Sequence, residues 1–91
     1  MMYDLIISPK AQEELTSLKK HEPQSYKKAA ALLIELQEHP TTGTGRPKPL
    51  AGDRAGEWSR KITQKHRLVY KINDKEIIVL VLSAWGHYDD K

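Results

Sequence analysis

The sequence predicts an α+β fold of order β-α-α-β-β-β, a small, mainly antiparallel sheet with a helical hairpin packed on one face. Two apolar stripes at helical spacing follow one another between residues 10 and 37, separated only by a proline break. Residues 57–72 then alternate apolar and basic side chains, as a pair of half-buried strands would. The run E-I-I-V-L-V-L-S-A-W, from Glu76 to Trp85, is almost continuously apolar and of strand length.

The first element, Tyr3 to Ile7, reads as an edge or central strand. Ser8-Pro9 is a good helix start, because serine caps free amides and proline tolerates the first helical position. Helix one is predicted from about Lys10 to Lys20, with Ala11, Leu15 and Leu18 as its apolar stripe. His21-Glu22-Pro23 breaks it and starts a second helix, in which Tyr26, Ala29, Ala30, Leu33 and Leu36 or Gln37 recur, ending near His39-Pro40. Neither stripe can be buried by its own helix, so the hairpin needs a sheet.

Residues 40–56 hold four Gly and three Pro among seventeen and read as a long irregular loop. Loops of that length in so small a domain tend to carry function. Strands follow at Glu57 to Thr63, His66 to Ile72 and Glu76 to Trp85, with Asn73-Asp74 as the last hairpin turn. If the first hairpin turns through Gln64 to His66, then Trp58, Arg60 and Ile62 share a face with Leu68, Tyr70 and Ile72. Lys61, Thr63, Arg67, Val69 and Lys71 then share the other. In that register Arg60 needs a partner on the core face, and a one-residue slip reverses the whole assignment. The third strand, apolar throughout, should lie inside the sheet.

At 91 residues the chain reads as a single domain over 1–91, since two halves would each be too small to bury a useful core. It has no cysteine, which excludes disulfides and Cys-based zinc sites and suits a reducing cytoplasm. The start M-M-Y-D-L-I-I-S lacks the marks of a secretory signal, and the apolar run from Ile77 to Leu82 is far short of the ~20 residues that span a bilayer, so no membrane role is expected. The net charge is +3, but its distribution says more. Residues 43–71 carry eight basic side chains (Arg46, Lys48, Arg54, Arg60, Lys61, Lys65, Arg67, Lys71) against Asp53 and Glu57 alone. A local basic patch points to a polyanionic partner, and its plain counterpart is a set of solvated strand and loop positions.

His66, His87, Asp89 and Asp90 lack the spacing of a metal site, so neither a metal nor another cofactor is expected. There is no Cys and no G-x-S-x-G elbow for a nucleophile, and G-T-G-R-P-K lacks the ending and the following helix of a phosphate-binding loop. What remains suits RNA cleavage without metal. In that reaction the 2′-OH attacks the adjacent phosphorus, so the site needs a base, an acid for the departing 5′ oxygen and cations for the charge on phosphate. His87 can be the acid, Arg67 can hold two phosphate oxygens, and Tyr88, with Trp85, can stack on an unpaired base. Each has a plainer reading: Arg67 as a solvated strand residue, His87 as part of a frayed tail, Tyr88 as a lid on the core and Trp85 as core.

The segments G-T-G-R-P-K-P-L, G-E-W-S-R-K-I-T-Q-K-H-R-L-V-Y and the closing H-Y resemble, in order and spacing over about residues 40–88, the YoeB/Txe family of toxins within the RelE-like superfamily. The resemblance implies the RelE-like fold and a toxin of a toxin–antitoxin system that cleaves messenger RNA in the ribosomal A site. It also implies a cognate, YefM-like antitoxin whose C-terminal segment occludes the site, and homodimerisation. By position it makes Lys48, Arg67, His87 and Tyr88 the catalytic set. Arg46, Arg60, Lys61, Lys65 and Lys71 stand as the RNA- and phosphate-binding cations.

The family motif often has a glutamate, proposed as general base, where this chain has Lys48, and a second acidic position is Lys65 here. Lys48 can serve as a base if neighbouring cations and burial help it shed its proton, or as a cation on phosphate while another group takes the proton. Two other functions stay open: a ParE-like inhibitor of a host protein such as DNA gyrase, and a nucleic-acid-binding module without catalysis. The closing His-Tyr pair argues against the first, and a histidine at the sheet rim against the second.

Overall fold

The computed structural model describes residues 3–52, 55–73 and 78–83, the last of these through its backbone path and strand pairing. Strand β1 (Asp4–Ile7) leads into helix α1 (Pro9–His21) and helix α2 (Pro23–Leu36). Then come β2 (Lys48–Pro49), β3 (Glu57–Lys61), β4 (Arg67–Asn73) and β5 (Ile78–Ser83). The sheet order is β1-β5-β4-β3-β2, and every pair is antiparallel except β1 with β5. This is the α+β class expected, with one strand more than the predicted order.

The extra strand corrects the reading of residues 40–56 as wholly irregular. Lys48 pairs with Ser59 and Pro49 with Trp58. Proline is tolerated there because β2 is an edge: the Leu50 amide bonds to the Glu57 carbonyl, so the Pro49 nitrogen faces the outer side, where no strand follows.

Ser8 caps α1 by accepting a hydrogen bond from the Ala11 amide at 3.1 Å, and Pro9 opens the helix. Lys19, Lys20 and His21 in its last turn suit the negative end of the helix dipole. Glu22 closes α1 through its own N–H, 2.7 Å from the Leu18 carbonyl, and Pro23 starts α2 at once. The second helix stops at Leu36, a few residues before the predicted His39-Pro40.

Ala11, Leu15 and Leu18 of α1 and Ala29, Leu32, Leu33 and Leu36 of α2 are buried against Ile62, Leu68 and Tyr70 of the sheet. Tyr3, Leu5, Ile7, Tyr26, Trp58 and Ile72 pack around them. Fully burying a side chain such as Leu18 contributes about 1.5–3 kcal/mol, so this one interface holds most of the apolar stabilisation among the described residues. Between Leu36 and Gln37, leucine takes the core position and glutamine stays half-buried.

The register of β3 with β4 is the predicted one: Trp58 faces Tyr70, Arg60 faces Leu68, and Lys61 faces Arg67. The connecting turn is wider than expected, so β3 ends at Lys61 rather than Thr63. The reason is the Thr63 hydroxyl, which accepts from the amides of Lys65 and His66, both at 3.1 Å. Strand β5 lies inside the sheet as its composition requires, and β1 takes the edge. Asp74 of the predicted last turn, and Glu76, Ile77 and Trp85 of the predicted last strand, lie outside the described residues. No helix among the described residues is long and apolar enough to cross a membrane.

Candidate functional site

The two faces of the β2-β3-β4 sheet divide the basic residues between them. Register sets Lys48, Ser59 and Val69 in one row across three strands, flanked on one side by Lys61 opposite Arg67 and on the other by Glu57 opposite Lys71. All of these share the face turned away from the helices. Lys48 and Lys71 are exposed, and Lys61 and Arg67 are half-buried. Like charges placed directly across a ladder destabilise a sheet by roughly 0.2–1 kcal/mol, so the Lys61–Arg67 pair costs stability unless an anion sits over it. In the centre of the face Ser59 and Val69 are buried, and the Ser59 hydroxyl has no hydrogen-bond partner among the described residues.

Arg60 goes the other way, which corrects its assignment to the phosphate-binding set. Its side chain is 0% exposed. Nη1 donates to Glu35 Oε1 at 2.6 Å and to the Thr44 carbonyl at 3.3 Å. Nη2 donates to the carbonyls of His39 and of Thr42, the latter at 2.6 Å, and Nε donates to the Tyr70 hydroxyl at 3.3 Å. A guanidinium so enclosed has no donor left to offer a phosphate. The position of Arg60 between Trp58 and Ile62 was the signal that it points inward and needs partners there; which residues supply them is set by the tertiary fold.

Glu35 is the anionic centre of this network. Its carboxylate also accepts from the Thr44 amide at 2.9 Å and the Thr44 hydroxyl at 3.2 Å. Burial acts to raise the Glu35 pKa, but the Thr44 hydrogen bonds and the Arg60 charge outweigh it and hold the carboxyl below its ordinary range. Tyr70 donates its hydroxyl to the Pro40 carbonyl at 2.6 Å. Burial pushes this phenol up despite Arg60, so it stays a protonated donor.

Residues 39–45 form a strap held by that network, and they lead straight into Arg46 and Lys48. The Gly45 carbonyl accepts from the Lys61 amide at 2.7 Å. Gly45 has φ +84°, and a Cβ there would stand 2.9 Å from the Lys61 carbonyl oxygen, so glycine is required by conformation and space together. Arg46 follows in the left-handed region at φ +52°, exposed beside β3. Lys48 is also exposed, without the burial that a role as base would draw on.

Lys65 sits at the far end of the β3-β4 hairpin, 68% exposed and 3.6 Å from Glu22. The same glutamate accepts from Ser25 at 3.0 Å and meets Nε2 of the buried His66 at 3.2 Å. The His66 hydrogen bond, with help from Ser25 and Lys65, holds the Glu22 carboxyl below its ordinary range. The structure thus gathers Lys48, Lys61, Arg67 and Lys71 on one face with Arg46 at its rim, turns Arg60 away, and sets Lys65 at the hairpin end. Arg54, His87 and Tyr88 lie outside the described residues.

A family model described as the YoeB-like toxin of bacterial type II toxin–antitoxin systems matches residues 7–88. The chain belongs to that family. A toxin YoeB of Mycobacterium bovis is 36% identical over 87 residues, covering 96% of this chain and 100% of that one. Among solved structures, the YoeB/ParE toxin of Agrobacterium tumefaciens superposes with a TM-score of 0.87 at 29% identity, covering 93% of this chain and 99% of the other. Staphylococcus aureus YoeB, in a heterotetrameric YoeB–YefM complex, gives 0.80 at 28% identity over 97% of this chain and all of its own; it is also known as a dimer. The YoeB and RelE-like neighbours have the fold described above, so this chain is a YoeB-family toxin by sequence and by fold.

Proposed function

We propose that this YoeB-family chain is a ribosome-dependent endoribonuclease that stops translation by cutting messenger RNA. The observation that carries the reading is the Lys61–Arg67 pair, two cations set face to face one row from Lys48 and two rows from Lys71 on the same face. A face that sacrifices stability to concentrate positive charge suits a substrate that brings phosphates with it.

In this reading Arg67 and Lys61 hold the scissile phosphate, and Arg46, Lys48 and Lys71 hold its neighbours. The 2′-OH gives its proton to an acceptor on the ribosome or the substrate and attacks phosphorus, the bond to the 5′ oxygen breaks, and His87 gives its proton to that oxygen, leaving a cyclic phosphate and a 5′-hydroxyl. Tyr88 steadies the nucleotide beside it. The roles of His87 and Tyr88 rest on their position in the family motif. The exposure of Lys48 favours its use as a cation over its use as base. No step calls for a metal or other cofactor. The reading implies a cytoplasmic protein that meets ribosomes, is neutralised by a YefM-like antitoxin as its S. aureus relative is bound, and self-associates as that relative does.

A second reading has one observation in its favour, the double name of the A. tumefaciens relative, which points to ParE-like inhibition of a host protein such as DNA gyrase. One experiment separates them. The chain is made in a cell-free translation reaction and new 5′ ends on the messenger are mapped, with His87→Gln as control. Cuts confined to ribosome-occupied codons and lost in the control are expected. Intact messenger with unimpaired translation would overturn the nuclease reading and turn attention to topoisomerase assays.

A further inference from the structure

The strap of residues 39–45 has little of its own to hold it in place. Thr41, Thr42, Gly43 and Thr44 are exposed, so no apolar packing fixes them. The strand that follows is only two residues long. Yet five of the seven backbone carbonyls from His39 to Gly45 are engaged: those of His39, Thr42 and Thr44 by Arg60, that of Pro40 by Tyr70, and that of Gly45 by the Lys61 amide. Glu35 adds the Thr44 amide and hydroxyl from the helix side.

We infer that Glu35, Arg60 and Tyr70 form a clamp through which the helix-facing side of the sheet positions Arg46 and Lys48 on the opposite side, making them positioning residues for RNA binding and cleavage. The inference deepens the phosphate-face reading and rests on it. Its physical basis is the rigidity of the planar guanidinium, which fixes three carbonyls and a carboxylate at once; a lysine could not reproduce that fork. Arg46 follows Gly45 directly and Lys48 stands three positions after it, so displacement of the strap carries directly into the cations. A misplacement near 1 Å is enough to cost about a hundredfold in rate.

Removing Arg60 risks unfolding the chain, so the test uses Glu35, whose side chain is 29% exposed. Glu35→Ala, Glu35→Gln, Lys48→Ala and the Glu35→Ala/Lys48→Ala double variant are compared with the parent full-length chain. Amide hydrogen exchange is followed at Thr44 and Lys61, with messenger cleavage and binding of a 2′-O-methyl oligoribonucleotide, which the 2′-OH route cannot cut. Glu35→Ala is expected to speed exchange at Thr44 and Lys61 by about tenfold or more while helix and β4 amides keep their protection. Cleavage and oligonucleotide affinity should fall by a similar factor. Glu35→Gln should restore most of each, and Lys48→Ala should add little in the double variant, because both changes act through one group.

Unchanged exchange at the strap, or losses that multiply fully in the double variant, would overturn the clamp. If the parent itself cuts nothing, the nuclease reading fails, and oligonucleotide binding decides the clamp alone. Binding weakened by Glu35→Ala and restored by Glu35→Gln supports it; binding equal to that of the parent overturns it.

Discussion

Arg60 and Lys61 are adjacent in β3, both cationic, and lead opposite lives. Arg60 is wholly buried and donates to a carboxylate, three carbonyls and a phenol. Lys61 is half-exposed and faces another cation across the ladder. One step along a strand reverses the side on which a side chain emerges, and that alone makes the first charge architectural and the second available. A count of basic residues cannot make this distinction, whereas alternation with apolar neighbours can.

The contrast is sharpest for the fold itself. Arg60→Ala takes one donor from the Glu35 carboxylate, which keeps Thr44, and leaves three strap carbonyls without their Arg60 donor; each buried acceptor so orphaned costs about 1–3 kcal/mol. In a domain with total stability on the order of 5–15 kcal/mol, a urea titration should show a large fall in the midpoint. A midpoint close to that of the parent would mean that the network is not what holds the strap.

Acid probes the same contrast more gently. Glu22 and Glu35 both have carboxyls held below their ordinary value of 4.5, so each adds stability that is present above that value and lost as pH falls through the folded one. Thermal midpoints should therefore be level from pH 7 down to about 5 and decline below about 4.5. A chain carrying Glu22→Gln and Glu35→Gln should show a shallower acid decline. Equal declines in the two proteins would show that other carboxylates govern it.

The smallest effect on stability is expected on the outward face. Lys61→Ala should change unfolding free energy by no more than about 0.5 kcal/mol, with a gain favoured because a like-charge pair is relieved. Its cost should appear in binding, as weaker capture of single-stranded RNA and a salt dependence reduced by about one phosphate contact. Loss of stability comparable to that of Arg60→Ala would erase the distinction between the faces.

Much of this was legible in the sequence. The first helix stripe, the serine cap and the β3-β4 register follow from short-range patterns and recur in the structure, while the second stripe recurs with Leu32 buried in addition and Ala30 only half-buried. So does the need for an inward partner for Arg60. The identity of that partner was not legible, because Glu35 lies 25 residues away on a helix face and no local pattern marks it. The strand at Lys48–Pro49 was hidden for a related reason: its composition is that of a loop, and only the neighbouring β3 makes it a strand. His66 was weighed for metal and set aside, but its seat against Glu22 depends on how the hairpin folds back onto the helix junction.

Strand β1 runs parallel to β5, pairing Asp4 with Ile78 and Ile7 with Val81. The beginning of the chain therefore finds its partner only after some seventy further residues have been synthesised. Contacts this distant in sequence close slowly, since the entropy of the intervening chain must be overcome first. Until that happens β1 has no ladder and the far side of the sheet has no edge. Assembly of the sheet thus waits until β5 has been made, and until then a nascent toxin cannot complete the sheet that carries its charge.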